Sequence, residues 1–309
     1  MMKAVSVFLF SAILAMAADL RVGIVGTDTS HVIAFSKILN DPKNPDYQPG
    51  ARIVAAYKGG SSDLESSRTR VEGYAKELQE KWGVEIVPDI KTLCEKVDAI
   101  LLESVDGRIH LAQAREIFKH KKPVFIDKPL AATHADALAI AKLAKEYGVP
   151  WFTSSSLRWS DGILDAKAAK AVVVWGPGPI DATHRMDMTW YGIHAVEMLY
   201  AMLGPGCVEV TRIVSGDDVV VGKWKDGRTG TVHLLRPYGD FGAMVFNEKT
   251  VVQGPAKVKV NYAPMLGQIV KFFQTGKSPV PMAETMEMFA FMDAAQKSKD
   301  QGGKPVKLQ

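Results

Sequence analysis

Apolar and polar positions follow two different rhythms along this chain, and the change falls near Ser154. Up to that point, short apolar runs alternate with stretches of helical spacing. Leu20–Val25, Ala51–Tyr57 and residues 84–87, 98–103 and 123–127 read as strands. Between them Val32, Phe35, Ile38 and Leu39 mark one helix face, 66–82 is polar and helical, and 109–120 is a further helix. Thr133, with Asp136 three residues on, predicts an N-cap for a helix that Gly148 ends. That helix carries Ile140, Leu143, Ala144 and Tyr147 on one side. Strands alternating with helices at this period predict a parallel sheet with right-handed crossovers.

Beyond Ser154 a helical stretch, 190–203, precedes strand-like runs at 208–214, 218–224, 230–235, 243–246 and 250–252. The turn at 225–228, Lys-Asp-Gly-Arg, is a hairpin signal. Two helices, about 263–273 and 283–299, close the chain. The expected architecture is an α/β domain over 18–154, then an α+β domain over 155–309, an antiparallel sheet with helices on one face.

Residues 1–17 stand outside this grammar. Lys3 precedes an apolar run, and Ala15-Met16-Ala17 forms an A-x-A site before Ala18. That predicts a cleaved Sec-type signal peptide and a periplasmic or secreted protein. The run is shorter than the roughly 20 residues that span a bilayer, and none long enough follows, so no membrane segment is expected after cleavage. The net charge of +4 is spread along the chain. No basic block or basic-aromatic stripe is present, which argues against nucleic acid as a partner. Cys94 and Cys207 fall in different predicted domains and lack metal-ligand spacing, so buried free thiols are expected.

Residues 23–31, Gly-Ile-Val-Gly-Thr-Asp-Thr-Ser-His, carry the first candidate chemistry. A strand, a glycine turn and a helix start here, as in a dinucleotide-binding G-x-G-x-x-G motif. Gly26 holds the first glycine position, but Asp28 and His31 occupy the second and third. Asp28 there adds a charge facing phosphates or else caps a turn, and His31 is expected to point outward. Thr27 or Ser30 could cap the helix; alternatively Thr29, Ser30 and His31 donate to phosphates in place of glycine amides. After the second strand, Lys58-Gly-Gly-Ser-Ser62 reads as a 2′-phosphate nest or an ordinary turn, which makes NADP at least as fitting as NAD.

Further motifs carry a family resemblance. They are Asp127-Lys128-Pro129, the stretch from Glu103 to His110, Leu157-Arg158-Trp159, and Trp190-Tyr-Gly-Ile-His194-Ala-Val-Glu197. Their order resembles the glucose–fructose oxidoreductase / inositol dehydrogenase (Gfo/Idh/MocA) family along the whole chain after the signal. The resemblance implies a Rossmann domain, an open antiparallel sheet, NAD or NADP, and a sugar-like or polyol substrate. It implies that Lys128 and His194 meet at the nicotinamide–substrate junction, with Ser104, His110 and Asp127 on the cofactor side. It also raises the expectation of a homo-oligomer.

Removing a hydride from a secondary alcohol also requires removing the hydroxyl proton. A histidine near neutral pH suits that task, and an ammonium stabilises the developing alkoxide. His194 is therefore the expected base and Lys128 the assisting group. Trp190 stands where the family has an aspartate, so Trp190 itself, His184, Asp187, Glu197 and Arg158 are candidates for the substrate site. The four residues His184, Asp187, His194 and Glu197 fit no metal motif, and no metal site is expected. Two alternatives stay open: an exported lyase or glycosidase using bound NAD, and a redox-inactive carbohydrate-binding protein that keeps the fold.

Overall fold

The computed structural model describes residues 18–309, and the expected signal peptide lies outside the described residues. The first half folds as β1 (Leu20–Val25), α1 (His31–Asn40), β2 (Ala51–Tyr57), α2 (Glu65–Arg68), α3 (Val71–Trp82) and β3 (Glu85–Val87). It continues through α4 (Ile90–Lys96), β4 (Ala99–Leu102), α5 (His110–Phe118), β5 (Val124–Asp127), α6 (His134–Tyr147) and β6 (Trp151–Ser154). All six strands run parallel in the order β3-β2-β1-β4-β5-β6. The order reverses between β1 and β4, and such a switch point opens a crevice at the carboxyl ends of the strands. β4 and β5 are buried at every position, which is why they read as unbroken apolar runs.

Local signals set the helix ends. Thr133 accepts from the Asp136 amide at 3.1 Å, and Gly148 leaves α6 in the left-handed region. The polar helical stretch at 66–82 is broken into α2 and α3 around Arg70. Helix α4 has no counterpart in the sequence reading; Asp89 caps it by accepting from the Thr92 amide.

The second half contains β7 (Ala171–Pro177), α7 (Ile193–Leu203), β8 (Cys207–Ser215), β9 (Asp217–Trp224), β10 (Thr229–Leu235), β11 (Gly242–Phe246) and β12 (Val251–Gln253). Helices α8 (Ala263–Thr275) and α9 (Met282–Asp300) and strand β13 (Val306–Lys307) follow. The seven strands are ordered β12-β11-β7-β10-β9-β8-β13. The sheet is mixed, which corrects the antiparallel expectation: β7, which the sequence reading passed over, lies between β11 and β10 and runs parallel to β10. Alternate residues of β9 and β10 are buried, so one face of the sheet is covered. Helix α7 lies on that face and is buried almost all round.

The break at Ser154 does not separate two cores. Helix α8 returns to the first sheet, where Leu266, Ile269 and Phe272 pack with Val22, Ile24 and Phe35. The Phe272 ring meets Phe152 edge-on at 4.9 Å. Cys94 and Cys207 are buried free thiols, and burial pushes them up to about 11 and about 12. Among the described residues no helix is long and apolar enough to cross a membrane.

Candidate active site

A cavity of about 430 Å³ lies where the carboxyl edge of the first sheet faces the second half of the chain. Thr29, Ser30 and His31 reach it from the β1–α1 turn, Lys128 from the end of β5, and Trp190, Tyr191 and His194 from the start of α7. Tyr238, Phe241 and Tyr262 complete an aromatic wall.

The turn is built for close approach. Gly26 has φ +95°, and a Cβ there would lie 2.3 Å from Ser104 Oγ. Asp28 is fully buried and turned inward, accepting from Ser67 Oγ at 2.6 Å and from the Val105 amide at 3.1 Å. Burial pushes its carboxyl up, against those hydrogen bonds. Asp28 thus ties α2 to the loop after β4 and does not direct its charge at a phosphate path. Thr27 is also internal, its hydroxyl donating to the Val71 carbonyl at 3.0 Å. Ser30 holds the N-cap position of α1 but makes no capping hydrogen bond.

His31 corrects the outward expectation. Its ring stacks on Phe35, touches Tyr262, and places Nδ1 2.6 Å from Asp127 Oδ2. Glu103, just after β4, completes a cluster: one ligating atom each from His31, Glu103 and Asp127 lies within 4.8 Å of the others. Burial, then the Asp127 charge, drives the Glu103 carboxyl well above its ordinary range. Burial lowers the Lys128 ammonium, which Asp127 and Glu103 oppose. Its Nζ lies 5.6 Å over the Tyr191 ring.

His194 Nδ1 is 2.6 Å from Ser155 Oγ, which also accepts from the Leu157 amide at 3.1 Å. Burial, then the nearby Lys128 and His31 charges, depresses its pKa well below the usual histidine range, so the ring is neutral at neutral pH. Glu197 approaches only indirectly, accepting from the Ser155 amide at 3.3 Å and from Arg158 Nε at 2.5 Å. Arg158 spans Glu197 and Glu284, so both candidates sit in a buried ion pair rather than on the cavity wall. Asp187 is likewise committed, to Arg212 at 2.7 Å and Lys299 at 2.6 Å. His184 is buried between Asp106, Asp181 and the Trp190 ring. Of the candidate substrate residues, Trp190 alone lines the cavity.

His110 faces two carbonyls, Ser104 at 2.7 Å and Leu130 at 3.2 Å, and braces the loop after β4. Ser104 accepts from Gln113 at 2.9 Å. Lys58 turns away from the nest and pairs with Glu72 at 2.7 Å. Arg68 instead lines a small cavity of about 200 Å³ with Gly59, Gly60, Ser61 and Ser62.

The residues present fit a dinucleotide. The first turn has no room for a side chain at Gly26, and the α1 N-terminus opens on the cavity beside the free hydroxyl of Ser30 and the cation of Arg70. Sequence reasoning missed Arg70, Glu103, Ser155, Tyr191, Tyr238, Phe241 and Tyr262. Glu103 left a local trace as a carboxylate ending an apolar strand, and Tyr191 lies inside the motif that carries His194.

Residues 20–155 match the family profile described as oxidoreductase family, NAD-binding Rossmann fold. Among solved structures, myo-inositol dehydrogenase from Lactobacillus casei, in complex with NAD(H) and myo-inositol, aligns with a TM-score of 0.72 at 17% identity, over 94% of this chain and 97% of that one. Myo-inositol 2-dehydrogenase from Lactobacillus plantarum aligns at 0.72 and 16%, over 94% and 100%. GenD2 from gentamicin A biosynthesis, in complex with NAD, aligns at 0.74 and 16%, over 98% and 100%. These are likenesses of fold. No curated protein matches the sequence.

Proposed function

We propose that this chain, whose residues 20–155 match the oxidoreductase family with an NAD-binding Rossmann fold, is an NAD(P)-dependent dehydrogenase of the Gfo/Idh/MocA type acting on a sugar-like or polyol substrate. The observation that carries this reading is the meeting of Lys128 and His194, from opposite halves of the chain, on one cavity that the β1–α1 turn also enters. The bound nicotinamide would supply the hydride acceptor or donor.

The chain's own residues handle the proton. In the base-competent tautomer, His194 Nδ1–H donates to Ser155 Oγ, leaving the Nε2 lone pair for the substrate hydroxyl. Its depressed pKa keeps that lone pair available at neutral pH. Lys128 supplies positive charge for the developing alkoxide. Trp190, Tyr191 and Tyr238 offer aromatic faces to the C–H surfaces of a ring-shaped polyol and help exclude water. Thr29, Ser30 and Arg70 line the same cavity and would hold the pyrophosphate. With Lys58 committed to Glu72, Arg68, beside Gly59, Gly60, Ser61 and Ser62, is the cation that would meet a 2′-phosphate.

The test is a melting experiment with NAD, NADH, NADP and NADPH. Bound cofactor at 100 times its Kd stabilises by about 2.7 kcal/mol. No shift with any of the four at millimolar concentration overturns the reading. Given a shift, a polyol screen should find NAD(P)-linked turnover that Lys128→Ala abolishes while the shift persists.

A further inference from the structure

We propose that His31, Glu103 and Asp127 form a binding site for a first-row divalent cation on the first-sheet side of the cavity. The three residues come from different elements: His31 opens α1, Glu103 follows β4 and Asp127 ends β5. The crossing of the chain at β1, β4 and β5 brings one ligating atom from each within 4.8 Å of the others.

A second observation points to a ligand. Glu103 is fully buried, yet among the described residues neither of its carboxylate oxygens has a hydrogen-bond partner, and Asp127 Oδ1 has none there either. Buried carboxylates are normally hydrogen-bonded, paired or bound to metal, because burying them otherwise costs several kcal/mol. Lys128, the nearest candidate counter-ion, holds its ammonium over the Tyr191 ring and leaves both Glu103 oxygens free. A divalent ion satisfies what the side chains leave open.

The donor set selects the class of ion. One imidazole and two carboxylates carry a charge of about −2 when ligating, and their mixed nitrogen and oxygen character suits Mn²⁺, Fe²⁺, Co²⁺ or Zn²⁺. Mg²⁺ and Ca²⁺ favour oxygen ligands alone. Ligands about 2.1 Å from a shared centre lie at most about 4.2 Å apart, so small side-chain rotations close the set. On binding, the contact between His31 Nδ1 and Asp127 Oδ2 gives way to the shared ion, and the imidazole ligates through a lone pair of its neutral form. Because His31 lines the cavity, the remaining coordination positions open toward it, where water or a substrate oxygen completes the shell.

The experiment strips the purified protein with a chelator, then titrates it with Co²⁺ read by visible absorption and with Mn²⁺ read by electron paramagnetic resonance. One ion per chain is expected, with Mg²⁺ binding at least 100-fold more weakly. Glu103→Gln and His31→Asn should each weaken Co²⁺ binding tenfold or more. Absence of one-to-one uptake, or uptake unchanged in both variants, overturns the proposal. If either variant fails to fold by circular dichroism, pulsed resonance of Mn²⁺ in the unaltered protein decides. Coupling to one imidazole nitrogen supports the site, and its absence overturns it. The dinucleotide reading is tested separately by melting shifts, so either can fail alone.

Discussion

Two clusters of buried charge differ in how completely they are finished. In the second half, Arg212 is fully buried and held by Asp187 and Asp218, while Lys299 and Arg236 reach the same two carboxylates. All four carboxylate oxygens have partners. At the carboxyl edge of the first sheet, His31 and Asp127 pair, but both Glu103 oxygens and Asp127 Oδ1 have no partner among the described residues. A saturated cluster joins β8, β9 and the segment before α7. An unsaturated one at a switch point is free to meet something else. Burial alone does not make a functional site; buried polar groups left without partners beside a cavity are the informative sign.

The sharpest way to break this contrast is Arg212→Ala. It leaves Asp187 and Asp218 buried with less counter-charge, and a loss of about 3–5 kcal/mol in urea unfolding is expected. Loss under 1 kcal/mol would show that the saturated cluster is not structural. Next, His194→Gln should cut turnover about 10²–10⁴-fold on any substrate found by the polyol screen, with the cofactor melting shift retained. An unaltered rate removes His194 from catalysis. Glu103→Met, measured in chelator, should not destabilise the protein and should raise the unfolding free energy by up to about 2 kcal/mol. A clear loss would mean that the carboxylate has a partner in solution.

Acid should expose the saturated cluster. Burial pushes the Asp187 and Asp218 carboxyls up, but their arginine hydrogen bonds and charges outweigh it and hold both below the usual carboxylate range. A folded pKa below the unfolded one contributes stability above the unfolded value, lost as pH falls through the folded value. Neutral His194 acts in the same direction, beginning below about pH 6.5. Stability measured from pH 7 to 3 should therefore fall, and Asp218→Asn should flatten the lower part of the curve. The smallest effect belongs to Lys58→Ala: the exposed pair with Glu72 contributes less than about 1 kcal/mol, and the NADPH-to-NADH preference should not move. A lost NADPH shift would return Lys58 to the cofactor site.

Much of this molecule was legible along the chain because its signals are local. Apolar runs and helical spacing located five of the six parallel strands and the Thr133 cap, and Gly26 marked the turn; β6, at Trp151–Ser154, was not read. Lys128 and His194 were reachable through motif spacing, and both line the cavity. Asp187, Glu197 and Arg158 were attractive by the same spacing, yet each is held in an ion pair away from the cavity wall. The strand at 171–177 and its parallel pairing with β10 depend on a neighbour 58 positions away in register, from Ala171 to Thr229.

By itself the sequence determined most of the elements and the first turn, because periodicity and caps act over a few residues, and its family resemblance marked Lys128 and His194, which both line the cavity. Tertiary structure alone decided which charges are free. It turned Asp28 inward to Ser67, gave Lys58 to Glu72 and Asp187 to Arg212, and left Glu103 buried without a partner. A charge's role depends on what the fold places within hydrogen-bond reach, and those partners come from distant parts of the chain.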